Sequence, residues 1–201
     1  MDSGIPKRKM ACHSPDVREA RHHQRETNQT MNDVVRFTIP ADFISSRIAL
    51  TTEELVCGYR KGWLSPAALA ELAGDLSADL PDLPAEEELL YLLPSEIEEK
   101  VRTAVLARDD VDCADPEIGK VWGYLALARL NERRDTISGF WDVIAMIWSD
   151  LGYPDEMEPF IYHMPPPPGE EFGEPAMLRR LESYLADRTR WYRARGGSSP
   201  E

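Results

Sequence analysis

Apolar residues recur every three or four positions along most of the chain, and this spacing predicts amphipathic α-helices. Local capping signals mark where several of these helices begin, because a side-chain oxygen can accept a hydrogen bond from a free backbone N–H of the first turn. Two of the signals are capping boxes, and two combine a capping residue with a following proline. The predicted starts are Thr51 with Glu54, Ser65-Pro66, Ser95 with Glu98, and Asp115-Pro116.

Glycine and proline predict where the helices end. Gly62 is expected to stop the first helix, and the helix after Ser65 is expected to continue to Leu80, before Pro81. The clearest apolar stripe predicts a helix from about Thr136 to Leu151, with Gly152 as its C-terminal glycine. A last amphipathic helix is predicted to begin near Glu174. We interpret the prolines at 165–168 as a stiff connection, although a ligand for a proline-binding module is an alternative.

These elements predict an all-α fold, in which one irregular multi-helix domain buries the apolar stripes. The rough alternation from Val34 to Pro40 leaves room for one short N-terminal strand. Residues 1–32 are basic and poor in apolar spacing, which predicts a disordered tail. The helical domain is expected over 33–195, followed by a disordered end at 196–201.

The charge balance is strongly acidic, with 36 acidic and 23 basic residues and a net charge of −13. The acids concentrate in the body: residues 31–187 carry a net charge of −18, and residues 75–117 contain 14 acids against three basic residues. This balance disfavours nucleic acid as a partner and favours a basic protein. No apolar run predicts a signal peptide or a membrane span, so a cytoplasmic location is expected. Cys12, Cys57 and Cys113 are widely spaced and are interpreted as reduced thiols.

The search for catalytic and metal-binding patterns predicts no metal site, no cofactor and no catalytic residue. The acidic run at 109–115 lacks the ligand spacing of a calcium loop, because Asp115 stands where glycine is needed and Val121 where glutamate is needed. His163 is the only histidine of the body, so a nucleophile activated by histidine has no obvious base. Phosphate-binding glycine loops are absent from the sequence. The chain is therefore interpreted as a non-enzyme.

If the acidity serves binding, its densest clusters are the candidate partner-binding surface. The interpretation competes with a simpler one, in which these side chains are only the solvated faces of helices. The candidates are Glu86, Glu87, Glu88, Glu96, Glu98, Glu99, Asp109, Asp110, Asp112 and Asp115.

A second set of residues has an expected structural role. The set comprises Trp122, Trp141, Trp148, Tyr153, Pro154, Tyr162 and Pro165. Gly152 and Pro154 are expected to end a helix, after which the acids at 155–158 favour a short new helix. Tyr153, Phe160, Tyr162 and Met164 are expected to fold back onto the face of Trp141 and Trp148.

Three motifs, in their order, resemble a family of small bacterial proteins classed as a domain of unknown function. The resemblance rests on Leu50 to Leu55 with Gly58 to Ser65, on Val121 to Leu127, and on Ile147 to Pro154 with Phe160 to Pro165. It covers about residues 34–168 and implies a bacterial cytosolic protein without established catalysis. In size and acidity the chain is also similar to immunity proteins of bacterial toxin systems, a likeness of class only.

Three functional hypotheses follow. The first is a non-catalytic binding protein of immunity type, which neutralises a basic toxin through an acidic surface. The second is a housekeeping interaction or scaffold protein, and the third is a carboxylate-based, metal-dependent enzyme. The sequence indicates neither the identity of the partner nor the oligomeric state.

Overall fold

The computed structural model describes residues 38–76, 79–81, 83–84 and 86–196. The predicted tail at 1–32 and residues 197–201 of the predicted C-terminal end lie outside this range. Of the predicted strand, only Thr38 to Pro40 are described, and they form neither helix nor strand. The backbone N–H of Ile39 donates instead to the carbonyl oxygen of Trp63, at 2.8 Å.

The described residues form α-helices and short 3-10 turns and contain no strand, which confirms the predicted all-α class. Three 3-10 segments, at Gly74–Leu76, Arg134–Thr136 and Asp155–Phe160, lie between the α-helices. The helices are α1 (Ala41–Ser45), α2 (Thr52–Arg60), α3 (Pro66–Leu72), α4 (Glu86–Leu89), α5 (Pro94–Leu106), α6 (Pro116–Glu132), α7 (Phe140–Asp150) and α8 (Glu174–Gly196).

Three of the four predicted helix starts are confirmed. At α2, Thr51 and Glu54 exchange hydrogen bonds between side chain and backbone, as a capping box requires. The hydroxyl of Ser65 accepts from the N–H of Ala68, and a carboxylate oxygen of Asp115 accepts from the N–H of Glu117. Each of these two caps is followed by proline as the first helical residue, as predicted.

The predicted capping box at Ser95 is wrong, because proline sets the start of α5 one residue earlier. Pro94 already has its φ fixed near the helical value and becomes the first helical residue, which places Ser95 inside the helix. The carboxylate of Glu96, rather than that of Glu98, accepts from the backbone N–H of Leu93 at 2.7 Å.

Two other predicted helices are shorter than expected. The helix after Ser65 ends at Leu72, and the chain continues as a 3-10 turn instead of reaching Leu80. The helix predicted from Thr136 begins only at Phe140, because Gly139 adopts a left-handed conformation with φ of 68°. A left-handed residue interrupts an α-helix, so Ile137 belongs to the connection.

Helix α6 is the centre of the domain, since every residue from Val121 to Ala128 is buried. It packs against α2, α7 and α8, and a helix enclosed in this way is apolar on all sides rather than along one stripe. The indole N–H of Trp122 donates to the carbonyl oxygen of Glu54 in α2, at 3.0 Å. On the opposite side, the hydroxyls of Tyr124 and Thr189 of α8 are 2.8 Å apart.

The expectation that Cys57 and Cys113 are reduced thiols is wrong, since the two form a disulfide. They are 56 residues apart in sequence, yet their Cα atoms are 5.3 Å apart because the segment after α5 passes along the end of α2. Spacing along a chain does not report such a tertiary approach. Cys12 lies outside the described residues.

The end of α8 returns to the start of α2 through a buried ion pair. The guanidinium of Arg195 donates to both carboxylate oxygens of Glu54, at 2.7 and 2.9 Å, and to the carbonyl oxygen of Ala49. The side chain of Glu54 is only 6% exposed, and Arg195 is the cation that pairs with it there. The last helix is therefore an integral part of the domain.

Candidate functional site

The structure places the candidate acids on the surface. Glu88, the three glutamates of α5 and the four aspartates after α5 are all exposed. Glu86 and Glu87 belong to α4, but their side chains lie outside what is described. The exposure of eight of the ten candidates is necessary for a binding surface, and it is equally expected of a solvated face.

Glu88 lies in α4, and the other seven described acids form two groups at opposite ends of α5. Glu96, Glu98 and Glu99 occupy the first turns, ahead of the buried Val101 and Ala104. The aspartates at 109–115 follow the last turn. A helix of 13 residues is about 20 Å long, so the two groups are separate patches rather than one cluster.

The aspartates after α5 are largely engaged within their own loop. Asp110 is paired with Arg108 at 2.9 Å, and this hydrogen bond holds the pKa of Asp110 below its usual range. Asp112 accepts from the backbone N–H of Ala114, and Asp115 caps α6. These contacts indicate that three of the four aspartates shape the loop.

The segment from Glu88 to Glu99, called here the 88–99 segment, exposes large apolar side chains among its acids. Leu90 is 83% exposed, Tyr91 87% and Leu93 63%. The Glu96 carboxylate lies beside Leu93, since it accepts from that residue's backbone N–H. Exposed apolar side chains that lie close together and are bordered by charge are typical of interaction sites.

These three apolar residues are not among the binding residues predicted from the sequence. Leu89 to Leu93 is an apolar run between acids, with prolines at 84 and 94 on either side. The run is too short for a helical stripe and has no helical spacing. An apolar run that fits no buried helix face can indicate exposed apolar side chains. Of the run, Leu89 does pack against the core.

The segment from Gly152 to Met164, called here the closing motif, folds largely as expected. Gly152 and Tyr153 are both left-handed, with φ of 79° and 63°, and a short 3-10 helix follows at Asp155–Phe160. The ring of Tyr153 meets that of Trp148 edge-on, with centroids 4.8 Å apart. The indole N–H of Trp148 donates to the carbonyl oxygen of Pro154.

One expectation about this motif is wrong: Phe160 packs against α8 instead of α7. Its ring centroid is 5.3 Å from that of Tyr184, because the 3-10 helix Asp155–Phe160 packs along α8. Tyr162 and Met164 do lie near Trp141, where they line a cleft of about 530 Å³. Two other residues of the structural set lie elsewhere. Trp122 belongs to α6, and Pro165 is exposed.

A cavity of about 360 Å³ lies beside the disulfide. Its walls come from the end of α2, the start of α6 and the turn after α7, and they carry charges of both signs. Burial raises the pKa of Asp150 at its edge, and burial also raises that of Tyr184, whose hydroxyl donates to Glu156 at 2.9 Å. The cavity-lining charged residues are Lys61, Lys120, Asp115, Asp150 and Glu156.

Within the described ranges, no group of three or more histidine, cysteine, aspartate or glutamate side chains is arranged to hold a metal ion. The same part of the chain contains no helix that is both long and apolar enough to cross a membrane.

Comparison with known proteins gives one match. No curated protein and no solved structure matches the chain significantly. Residues 41–189 match the family described as "Uncharacterized protein conserved in bacteria (DUF2247)". The match begins at α1 and extends into α8, beyond the 34–168 region of the motifs. The chain therefore belongs to the bacterial family DUF2247.

Proposed function

We propose that this chain is a non-catalytic binding protein of immunity type, which covers a basic partner such as a toxin. The observation that carries the proposal is the 88–99 segment, where three exposed apolar side chains stand among exposed carboxylates. Leu90, Tyr91 and Leu93 would be the buried anchors of the complex. The carboxylates of Glu88 and Glu98 would form its charged rim.

The two kinds of residue have different roles in such a complex. Tyrosine is a frequent hot spot because its ring buries a large area while its hydroxyl keeps a hydrogen bond. Carboxylates at the rim accelerate association with a basic surface and reject acidic competitors, but they add less affinity. An acidic protein without exposed anchors would attract many basic proteins weakly, whereas the anchors supply specificity.

The two acidic groups differ in how well they support binding. Asp110, Asp112 and Asp115 are held by local hydrogen bonds, so a partner would have to compete for them. Glu99 is paired with Arg102 on the surface, an interaction worth about 0.5 kcal/mol or less, so it remains available. The proposal therefore places the contact on the 88–99 segment, with the aspartates after α5 in a secondary position.

The proposal includes a cytoplasmic location, where a cell would need protection from a toxin that it produces itself. The toxin is expected to be encoded by an adjacent reading frame. The scaffold hypothesis uses the same surface without a toxin, so an experiment on the neighbouring gene distinguishes the two.

The test measures binding of the purified chain to the purified product of the adjacent reading frame by titration calorimetry. Tyr91→Ser should weaken binding by about 30-fold, the equivalent of a 2 kcal/mol hot spot. Glu88→Gln with Glu98→Gln should mainly slow association and reduce its dependence on salt. Trp191→Ser is the matched control, because Trp191 is also exposed but stands between Arg190 and Arg193.

Two results would contradict the proposal. One is the absence of binding by the unmodified chain at micromolar concentrations. The other is an equal loss of affinity in Tyr91→Ser and Trp191→Ser, which would place the contact elsewhere.

A further inference from the structure

Besides the ion pair between Arg108 and Glu53 of α2, at 3.6 Å, two connections hold the loop that follows α5 against α2. The first is the disulfide between Cys57 of α2 and Cys113. The second is the guanidinium of Arg60, which donates to the backbone carbonyl oxygens of Val105, Arg108 and Val111 at 2.7 to 3.1 Å. The disulfide is thus the one covalent bond among the contacts that hold residues 105–113 against α2.

The two cysteines of the disulfide differ in their exposure. Cys57 is fully buried, whereas Cys113 is partly exposed. Both line the cavity described above, which is open to solvent and large enough to admit a small molecule. An incoming thiol can therefore reach the Cys113 sulfur far more readily than the Cys57 sulfur.

The surroundings of Cys113 favour its thiolate. A guanidinium nitrogen of Arg60 lies 3.9 Å from the Cys113 sulfur, and Lys61 lines the same cavity. A neighbouring cation stabilises a thiolate relative to a thiol, so Cys113 is a good leaving group when a second thiolate resolves the mixed disulfide, and a reactive thiolate once the pair is reduced. Asp115 also lines the cavity, but its carboxylate is engaged as the cap of α6.

We propose that the Cys57–Cys113 pair is a thiol–disulfide exchange site, at which a low-molecular-weight thiol enters the cavity, attacks Cys113 and removes the covalent link between the acidic loop and α2, which loosens the loop. In a cytoplasm rich in such thiols, a disulfide of this kind is transient and sensitive to redox state. The exchange itself is independent of the proposed function. The cytoplasmic setting and the consequence for a partner that contacts the loop both rest on that function.

The reaction proceeds in two balanced steps. An external thiolate forms a bond to the Cys113 sulfur, the Cys57–Cys113 bond breaks, and the Cys57 sulfur leaves with the electron pair and takes a proton from solvent. A second external thiolate then attacks the external sulfur, and the Cys113 thiolate leaves beside Arg60. Two thiols are oxidised to one small disulfide, and the protein disulfide is reduced to two thiols.

The first experiment traps the intermediate on the folded full chain, with Cys12→Ser to remove the third cysteine. The protein is incubated with mixtures of reduced and oxidised glutathione without denaturant, quenched with acid, alkylated and mapped by mass spectrometry. The glutathione adduct should be found on Cys113 and at least about tenfold less on Cys57. An adduct mainly on Cys57, no disulfide in the untreated protein, or reduction only after denaturation would overturn the proposal.

Single-cysteine variants provide an independent rate measurement. In the same background, the Cys57→Ser variant retains Cys113, and the Cys113→Ser variant retains Cys57. The former should react with oxidised glutathione at least about tenfold faster, and high salt should narrow the ratio by screening Arg60. Equal rates would refute the assigned site.

Hydrogen exchange then tests whether the loop is released. Reduction should accelerate exchange of the amides of residues 105–113 by about tenfold or more, and leave those of 121–130 in α6 unchanged. Unchanged exchange in the loop, or acceleration throughout α6, would refute a local release. If these three experiments succeed and the partner titration shows no binding, the proposed function is contradicted and the exchange site is not.

Discussion

Gly58 of α2 is the position where a single added methyl group should have the largest effect on the stability of this domain. A Cβ atom placed there would lie 2.0 Å from Cζ2 of Trp122 and under 3 Å from two further ring atoms. Ordinary contact begins near 3.4 Å, so the indole or the helix has to move by over about 1 Å. Gly58→Ala therefore tests the contact between α2 and α6 at the centre of the core.

The ring of Trp122 has little freedom to move. It is 1% exposed, its N–H donates to the carbonyl oxygen of Glu54, and its centroid is 5.5 Å from that of Trp63. Overpacking of this severity costs about 3 kcal/mol, and distortion of the indole hydrogen bond costs about 1 kcal/mol more. Alanine in place of glycine returns about 1 kcal/mol through helix propensity. The net loss of unfolding free energy is then about 3 kcal/mol.

Chemical denaturation with urea measures this loss, with Gly119→Ala in α6 as the matched control. No atom outside its own helix lies within 4 Å of a Cβ at Gly119, so that variant should be neutral or up to about 1 kcal/mol more stable. In a Trp122→Leu background, Gly58→Ala should lose most of its cost. Equal stabilities of Gly58→Ala and Gly119→Ala would refute the described packing of α2 on α6.

Two further predictions concern links between distant segments, and a third concerns the carboxylate of Asp150. Arg195→Ala should lower the unfolding free energy by about 2–3 kcal/mol, because the buried Glu54 carboxylate then loses its charged partner and keeps the hydrogen bond from the Thr51 N–H. This loss is below the ~3–5 kcal/mol of a fully buried pair, since Arg195 is partly exposed. Replacing Cys57 and Cys113 together with alanine should cost about 4 kcal/mol in denaturation experiments on oxidised protein, from the entropy of closing a loop of 56 residues. Asp150→Asn should raise stability at pH 7 and have no effect near pH 3, because burial raises the pKa of Asp150 and so penalises only its charged form. No difference at pH 7 would contradict that reasoning.

Features that depend on a few neighbouring residues were predictable from the sequence. The caps at Thr51, Ser65 and Asp115 and the glycine stop at Gly152 are all decided within about four residues. The one false cap, at Ser95, has a local cause as well, because Pro94 competes for the first helical position.

Features that depend on tertiary approach were not predictable. Glu54 and Arg195 are 141 residues apart, and neither residue type in isolation indicates a buried pair. The same holds for the Cys57–Cys113 bond, which only the passage of the loop after α5 along α2 brings about.

The candidate surface was predictable only in part. Clustered carboxylates are visible in composition, but the sequence does not show that Asp110, Asp112 and Asp115 are engaged locally. The sequence of an apolar run also does not show which of its side chains are buried. In the structure Leu90, Tyr91 and Leu93 are exposed, whereas Leu89 packs against the core. Exposure is a property of packing, which one sequence does not report.

Survival of bacterial cells that express the adjacent reading frame tests the proposed function most directly. The reading frame alone should stop growth, co-expression of this chain should restore it, and co-expression of the chain with Tyr91→Ser and Leu93→Ser should not. The variant chain must accumulate to the same level, and the Trp191→Ser chain must protect. Growth that is unaffected by the adjacent reading frame alone, or full protection by the Tyr91→Ser and Leu93→Ser chain, would contradict the immunity role of the 88–99 segment.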